Sequence, residues 1–418
     1  EIASCLVGSE MCIRDSICFV CREYVPSLRG GGIASYIKEM AENIVQKHHK
    51  VTVICASDDT RKGYTYTENG VNIIRLSGGD FVISQIEKKN IVNRFRLFYR
   101  FFSYRKKILE TILSIKDIDI IEVPEYGAES YYLKNLPIPV VIRLHASTLV
   151  LNEFISGKKG ITKSNWHIYW QGLQEFKEIK RAQYITSCSQ AIKEIIEQKL
   201  LLPCDKIKVI NNPIKINNWT TNITKKAINK EIIRILLPGA VYNLKGGEDL
   251  IKACIQLNQI TNQKFELYLI GKKGNFANYL EKKYASHYNW INIPGPIPRK
   301  KMIEQYNKAD IICLPSWWEN MPMACIEAML CGSIVIGSNS GGIKEIIEDG
   351  KDGFLIPPRN PQILANKIQY ILQLTPEQLY TISINAHSKI INKFSTDYIV
   401  SQMLIYYNQV IQDLKKNN

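Results

Sequence analysis

Ile311-Ile312-Cys313-Leu314-Pro315-Ser316-Trp317-Trp318-Glu319-Asn320-Met321-Pro322-Met323-Ala324-Cys325-Ile326-Glu327 is the stretch that decides the fold. It opens on a short apolar run of strand character, Ile311 to Pro315, and passes through a loop of aromatic and polar residues. It then enters a helix with Pro322 near the first turn, where the N–H that proline lacks would have had no partner. A strand that leads through a short loop into a helix is the repeating step of a parallel sheet covered by helices. The step also sets the backbone N–H groups of a helix start at the carboxyl end of a strand, where open α/β sheets bind anions.

Outward from that stretch the step recurs in both directions. Ile235 to Gly239, Phe265 to Gly271, Ile291 to Gly295 and Ser333 to Gly337 read as further strands of the second half. In the first half the strands read as Ile17 to Cys21, Val51 to Ala56, Ile118 to Val123, Val140 to Leu144 and Tyr184 to Ser187. Ile33, Ile37, Met40 and Ile44 recur at helical spacing directly after Gly30-Gly31-Gly32, a glycine run placed to let a backbone approach a phosphate. A plain tight turn explains such a triplet equally well.

Two such series in 418 residues predict two Rossmann-like α/β domains. The first is expected over residues 17–211 and the second over 232–393, joined by a polar linker, 212–231, that holds Pro213. Residues 394–418 read as a closing helix that packs back on the first domain. Residues 1–16 begin without Met and carry neither strand nor helix periodicity, so they read as an artefactual leader.

Composition narrows the class. Hydrophobic residues make up 45% and charged residues 22%, ordinary values for packed cores, which excludes a disordered chain. Nothing approaches the roughly 20 uninterrupted apolar residues of a membrane span, and no signal-peptide pattern opens the chain. Eleven cysteines, mostly inside apolar segments, read as reduced core thiols of a cytoplasmic protein. Cys18 and Cys21 form a C-x-x-C pair, but on a strand residues three apart point to opposite faces, against a metal site.

The net charge of +15 calls for an anionic counterpart: nucleic acid, an anionic lipid surface or a phosphorylated substrate. No zinc-finger, RNP or basic-zipper pattern is present, so nucleic acid is not an expected partner. Over Ile91 to Leu109, Phe95, Phe98 and Phe102 sit at helical spacing among Arg94, Arg96, Arg100, Arg105, Lys106 and Lys107. A core-packed helix with a solvated basic face accounts for this pattern. It also makes residues 91–109 the candidate for peripheral contact with an anionic membrane.

The chemistry returns to the opening stretch. Glu319 and Glu327, eight residues apart, cannot share one helix face, so Glu319 belongs to the loop and Glu327 to the helix. The helix start welcomes an anionic diphosphate, and both carboxylates can accept hydrogen bonds from sugar hydroxyls. Either glutamate alone would pass as an ordinary surface carboxylate. Together they resemble the E-x7-E signature of the retaining glycosyltransferases of family 4. The match continues through Pro294-Gly295-Pro296-Ile297 and Ala309-Asp310-Ile311, then Ser340 to Glu345 and Asp349 to Leu355. In the first half it takes in Gly30 to Gly32, Glu122 to Gly127, Arg143-Leu144-His145 and Asn212-Pro213-Ile214.

The resemblance implies a GT-B architecture, two facing Rossmann-like domains with an interdomain cleft. It also implies transfer of a sugar from a nucleotide diphosphate sugar with retained anomeric configuration. By that resemblance Glu319, Lys245 and His145 are the catalytic set: Glu319 holds the sugar hydroxyls, Lys245 neutralises the diphosphate, and His145 lines the donor sugar. Glu327 holds the ribose, and Gly30, Gly31, Gly32, Gly239, Asn320 and Met321 complete the donor site. No metal or other cofactor is expected; Asp117-Ile118-Asp119 has a metal-site spacing but reads as a strand-entry turn.

One departure stands out. Where the family commonly carries Arg after the glycine of the lysine loop, this chain has Ala240. Arg29 and Arg143 are the expected substitutes. The implied partners are a nucleotide-sugar donor and a glycan or lipid-linked acceptor, at the inner face of the membrane. The Ile-, Lys- and Asn-rich composition has a bacterial character and points to surface polysaccharide synthesis. A nucleotide-sugar epimerase of similar fold and a degenerate, non-catalytic nucleotide-sugar binder remain the alternatives.

Overall fold

The computed structural model describes residues 15–27, 31–59, 61–78, 91–145, 147–156, 166–216, 223, 231–261 and 263–417. Residues 1–14 of the expected leader and most of the expected linker lie outside the described residues, as do Arg29 and Gly30.

The first sheet has eight strands: β1 (Ser16–Val20), β2 (Lys50–Ala56), β3 (Tyr64–Glu68), β4 (Val71–Leu76), β5 (Ile120–Pro124), β6 (Val140–Leu144), β7 (Tyr184–Ser187) and β8 (Ile207–Val209). Their order is β3-β4-β2-β1-β5-β6-β7-β8. The helices of this half are α1 (Gly32–Gln46), α2 (Ile91–Ser114), α3 (Thr148–Ser156), α4 (Trp166–Arg181) and α5 (Gln190–Leu200). The second sheet has six strands: β9 (Ile232–Pro238), β10 (Lys264–Ile270), β11 (Ile291–Asn292), β12 (Ile311–Leu314), β13 (Ile334–Ser338) and β14 (Phe354–Ile356). Its helices are α6 (Gly247–Ile260), α7 (Asn275–Leu280), α8 (Arg299–Lys308), α9 (Met323–Leu330), α10 (Ile343–Ile346), α11 (Pro361–Leu372) and α12 (Pro376–Phe394), and α13 (Thr396–Asn417) closes the chain.

The second sheet runs β11-β10-β9-β12-β13-β14 with every pairing parallel. Counted within its own half this is the doubly wound order 3-2-1-4-5-6, which reverses direction between β9 and β12. Loops leaving the carboxyl ends of those two strands diverge to opposite faces, and the gap between them is where such sheets take ligands. Both faces are covered. Ile233, Ile235 and Leu237 join Leu250, Leu257, Leu364 and Ile368 in one core, while Leu236, Ile312 and Leu314 join Ile326, Met329 and Ile390 in the other. A strand buried on both faces has to be apolar at successive positions, which is why Ile311 to Leu314 reads as an unbroken run.

The chain divides into two compact units, one of residues 1–143, 170–186 and 400–418, the other of 144–169 and 187–399. In the first unit α13 places Tyr407 on Glu122 of β5, at 2.6 Å from Oε2.

The structure departs from the sequence reading in several elements. β3 and β4, not foreseen, form an antiparallel hairpin around Asn69-Gly70, both left-handed with φ of 50° and 79°. β8 and β14 are further short strands. β5 starts at Ile120 instead of Ile118, because Asp117 turns the chain with a φ of 61° and the Asp119 carboxylate accepts the Ser16 N–H at 2.7 Å. The basic aromatic helix continues past Leu109 to Ser114, with Phe101 and Phe98 edge-on to Trp170 at 4.8 and 4.6 Å. Among the described residues no helix is long and apolar enough to cross a membrane.

Candidate active site

The two loops at the β9/β12 reversal hold Lys245 and Glu319, and backbone geometry holds the loops together. After β9 the chain passes Gly239, at a φ of 111°, into a 3-10 turn, Asn243–Lys245, that ends on Gly246 in the left-handed region at 68°. Gly246 is needed twice over, since a Cβ there would also fall 2.2 Å from the Pro315 carbonyl oxygen at the end of β12. The lysine turn is therefore seated directly on the neighbouring strand end. The Lys245 side chain reaches back so that Nζ comes within 3.8 Å of where a Gly239 Cβ would stand.

After β12 the loop brings Glu319 to the same place. Lys245 Nζ donates to Glu319 Oε2 at 2.6 Å, and Ser316 Oγ donates to the other carboxylate oxygen at 2.5 Å. The pair is neither buried nor free, with side chains 23% and 14% exposed. The Glu319 carbonyl accepts the Gly342 N–H at 2.8 Å, which ties the loop to the segment after β13. A cation and a carboxylate facing one another at a sheet's switch point can meet a ligand that is anionic at one end and hydroxylated at the other.

Glu327 lies on α9, largely buried, with one oxygen taken by Arg299 of α8 at 2.7 Å and the other by the Tyr306 hydroxyl at 3.2 Å. Burial pushes its carboxyl up from the usual value, and the Arg299 charge and the two hydrogen bonds pull it partly back. Burial, with the Glu327 charge beside it, pushes the Tyr306 hydroxyl up as well. All of α9 from Cys325 to Leu330 is buried, so Glu327 is a polar group in an otherwise apolar helix.

Asn320 joins this loop to the residues after β6 and β7. Its Oδ1 accepts from Ser189 Oγ, and its amide donates to the His145 carbonyl and to Cys188 Sγ. Glu345 of α10 accepts the N–H groups of Gln190 and Ala191 at 2.7 and 2.6 Å, at the first turn of α5. Met321 packs, partly buried, against the core that holds α9. His145 itself is mostly buried.

Among the sequence-predicted residues, the structure thus brings together Lys245, Glu319, Gly239, Asn320 and the His145 backbone, with Glu327 on the adjoining helix. In the first unit, Gly31 and Gly32 are exposed at the start of α1. Arg143 is fully buried there, its guanidinium 4.3 Å from the Tyr36 ring centre and 3.4 Å from Thr186 Oγ1, and its charge acts on Glu122. Sequence reasoning missed Ser316, Arg299 and Tyr306. Ser316 stands only three residues before Glu319 in the same loop and was open to reading there, whereas Arg299 and Tyr306 reach Glu327 from another helix, α8, and no spacing rule along the chain links them to it.

Comparison with known proteins places this geometry. Residues 220–388 match the family of glycosyl transferases group 1, and residues 30–218 match Glycosyltransferase Family 4. An uncharacterized glycosyltransferase of Methanocaldococcus jannaschii is 26% identical over 94% of this chain and 97% of its own length. An uncharacterized protein in the cps region of Klebsiella pneumoniae is 24% identical over 82% of this chain and 86% of its own. Among solved structures, sucrose-phosphate synthase of Thermosynechococcus elongatus superposes with a TM-score of 0.77 at 18% identity, over 96% of this chain and 100% of that one. The Anabaena protein HepE, solved in complex with UDP-glucose, gives 0.67 at 19% identity over 94% of this chain and 99% of its own. The two family models adjoin and between them span both Rossmann-like halves, so the chain belongs to the family 4 glycosyltransferases and has the GT-B fold.

Proposed function

We propose that this glycosyltransferase retains anomeric configuration and moves a sugar from a nucleoside diphosphate sugar to a glycan or lipid-linked acceptor in surface polysaccharide synthesis. The observation that carries the reading is the contact of Lys245 with Glu319 at the switch point, 2.6 Å, with Glu327 on the helix that follows. Lys245 offsets the charge that develops on the leaving diphosphate, Glu319 takes the sugar hydroxyls, and Glu327 takes the ribose. His145 lines the sugar, and no metal takes part. HepE in complex with UDP-glucose supports a nucleotide-sugar donor, and the cps-region relative supports a polysaccharide setting.

In the proposed step the bond from the anomeric carbon to the diphosphate oxygen breaks, and the acceptor oxygen bonds to that carbon on the same face. The acceptor proton goes to the departing phosphate oxygen. Glu319 serves as a hydrogen-bond acceptor and not as a nucleophile, in keeping with its two oxygens being held by Lys245 and Ser316. For the place left uncharged at Ala240, Arg29 and Arg143 remain the proposed cations. Because Arg143 is fully buried beside the Tyr36 ring and its charge acts on Glu122, its replacement is expected to lower stability along with donor affinity.

The enzyme is proposed to work on the cytoplasmic side of the membrane, with α2 as the contact. Cosedimentation with vesicles of anionic lipid, lost when Arg96 and Arg100 become Ser, tests that part. The catalytic reading is tested by a thermal-shift and turnover screen against UDP-, GDP- and ADP-glucose, with and without simple acceptors, comparing the parent with Glu327→Ala. Stabilisation by one donor that disappears in the variant, with slow nucleotide release, supports the transferase. Absence of stabilisation by any donor would leave a non-catalytic relative, and conversion of the donor sugar without acceptor would mean an epimerase. A product of inverted configuration would refute retention.

A further inference from the structure

Trp317 precedes Glu319 by two residues and is fastened to the chain on both sides of Lys245. Its backbone N–H donates to the Leu244 carbonyl at 2.8 Å, one residue before Lys245. Its indole Nε1–H donates to Asp249 Oδ2 at 2.8 Å, in the first turn of α6 and four residues after Lys245. Two further contacts hold Trp317 itself. Ser340 Oγ donates to its carbonyl at 2.8 Å, and the Arg359 guanidinium lies 4.1 Å from the centre of its ring.

The arrangement has a mechanical meaning. The backbone bond to Leu244 and the seat of Gly246 on Pro315 hold the lysine turn on the side that faces β12. The indole bond to Asp249 fixes a second point through a side chain with only two rotatable bonds, and does so with a donor-only group on a carboxylate, a charge-assisted contact. A turn held at both ends against the residue two before Glu319 keeps the backbone of its lysine in register with that glutamate. We infer that Trp317 and Asp249 are positioning residues that set the Lys245 ammonium against the Glu319 carboxylate. On the functional reading above, which this inference extends, they thereby set the diphosphate against the sugar. Neither touches the reacting atoms; the register of the two loops is their product.

The primary test needs no donor. Lys245 is acylated in the intact protein with a limiting amine-reactive ester, and its modification rate is read by mass spectrometry. The chains compared are the parent, Trp317→Phe, Asp249→Ala, the double variant and Asp249→Asn. Loosening this partly exposed ion pair is expected to raise the rate roughly two- to fivefold in each single variant. The double variant is expected to go no further, since both changes delete one bond. Asp249→Asn keeps an acceptor oxygen and is expected to return toward the parent rate. Lys389, paired with Asp352 at 2.6 Å, serves as the internal control and stays constant. An unchanged Lys245 rate in both singles, or a double variant in which the effects add, overturns the inference.

Turnover of the donor supplies the second readout. The two single variants are expected to lose roughly ten- to a hundredfold in kcat with donor KM little changed, as misplacement of a catalytic group predicts. Full activity of Lys245→Ala would instead sink the functional reading, and the labelling result would stand apart from it.

Discussion

Lys245 Nζ stands 2.6 Å from Glu319 Oε2 although 74 residues separate them, because adjacent parallel strands at a sheet reversal deliver their loops to one place. With side chains only 23% and 14% exposed, the pair loses to desolvation much of what its contact gains and adds only about 0–1 kcal/mol to stability. A bound diphosphate would draw more from the same lysine, about 1.5–3 kcal/mol for a charge-assisted hydrogen bond. Lys245→Ala should therefore leave thermal stability nearly intact and weaken nucleoside diphosphate binding roughly 10- to 150-fold. Calorimetric titration with UDP and with uridine separates the two groups of contacts. An equal loss for both ligands would show that Lys245 does not meet the diphosphate.

Glu327 is expected to make stability and donor binding move in opposite directions. Burial, the largest influence, raises its carboxyl above the unfolded value of 4.5. The folded chain then holds that proton more tightly than the unfolded one. The stability linked to it is present at acid pH and is lost as pH rises from 4.5 through the raised folded value. Glu327→Gln removes this titration while leaving an oxygen for Tyr306, so the variant should match the parent in acid and exceed its melting temperature at neutral pH. On the proposed role of Glu327 as the ribose acceptor, the same variant should lose roughly tenfold or more in donor affinity. Melting curves across pH, paired with donor titrations, check both halves; a variant less stable at neutral pH would contradict the first.

How far the sequence could be read depended on whether a feature was local. The strand Ile311 to Leu314, the loop at Glu319 and the helix carrying Glu327 follow from periodicity and from one proline, because each is decided by neighbours along the chain. The β3–β4 hairpin was legible too: Asn69-Gly70 is the strongest two-residue signal for a turn in which both residues take positive φ, and it went unread because Tyr64 to Glu68 is polar and exposed on this edge strand. Arg299, Tyr306 and the Trp317–Asp249 bond were not legible. They depend on α8 lying beside α9 and on α6 lying beside the loop after β12, relations set by strand order alone. The burial of Arg143 was equally hidden, since the sequence sets it beside a motif histidine and shows nothing of the Tyr36 ring 4.3 Å away or the Glu122 charge it acts on.

The glycines after β13 shape the loop that carries Glu319 by leaving room for it. A Cβ on Gly342 would fall 1.7 Å from the Asn320 carbonyl oxygen, and one on Gly341 would fall 2.0 Å from that of Glu319. Gly341 also has a φ of 59°, which costs an L-residue about 1–2 kcal/mol. Gly342 has a φ of -77°, open to any residue, so Gly342→Ala isolates the steric effect from backbone strain. It should displace the 319–320 backbone, costing roughly tenfold in donor turnover by misplacement of Glu319. Gly341→Ala should lose melting temperature in addition. Turnover of Gly342→Ala equal to the parent would mean that the loop yields without moving its carboxylate.

Glu122 is a buried carboxylate whose two oxygens are each met by a tyrosine, Oε1 by Tyr36 of α1 at 3.0 Å and Oε2 by Tyr407 of α13 at 2.6 Å. Burial raises its carboxyl, with Arg143 and both hydroxyls opposing that rise. Tyr407→Phe keeps the ring and its packing but leaves one buried oxygen without its donor, a loss of about 1–3 kcal/mol. Chemical denaturation should show that loss with little change in donor affinity, because the hydroxyl donates to this carboxylate and, among the described residues, no hydrogen bond joins it to those around Lys245. The companion change Glu122→Gln discriminates the cause: an amide in place of the carboxylate needs less help from Arg143 and the two hydroxyls, so Tyr407→Phe should cost less in that background. Equal costs in the two backgrounds would show that the tyrosine acts through packing of α13 and not through the charge beneath it.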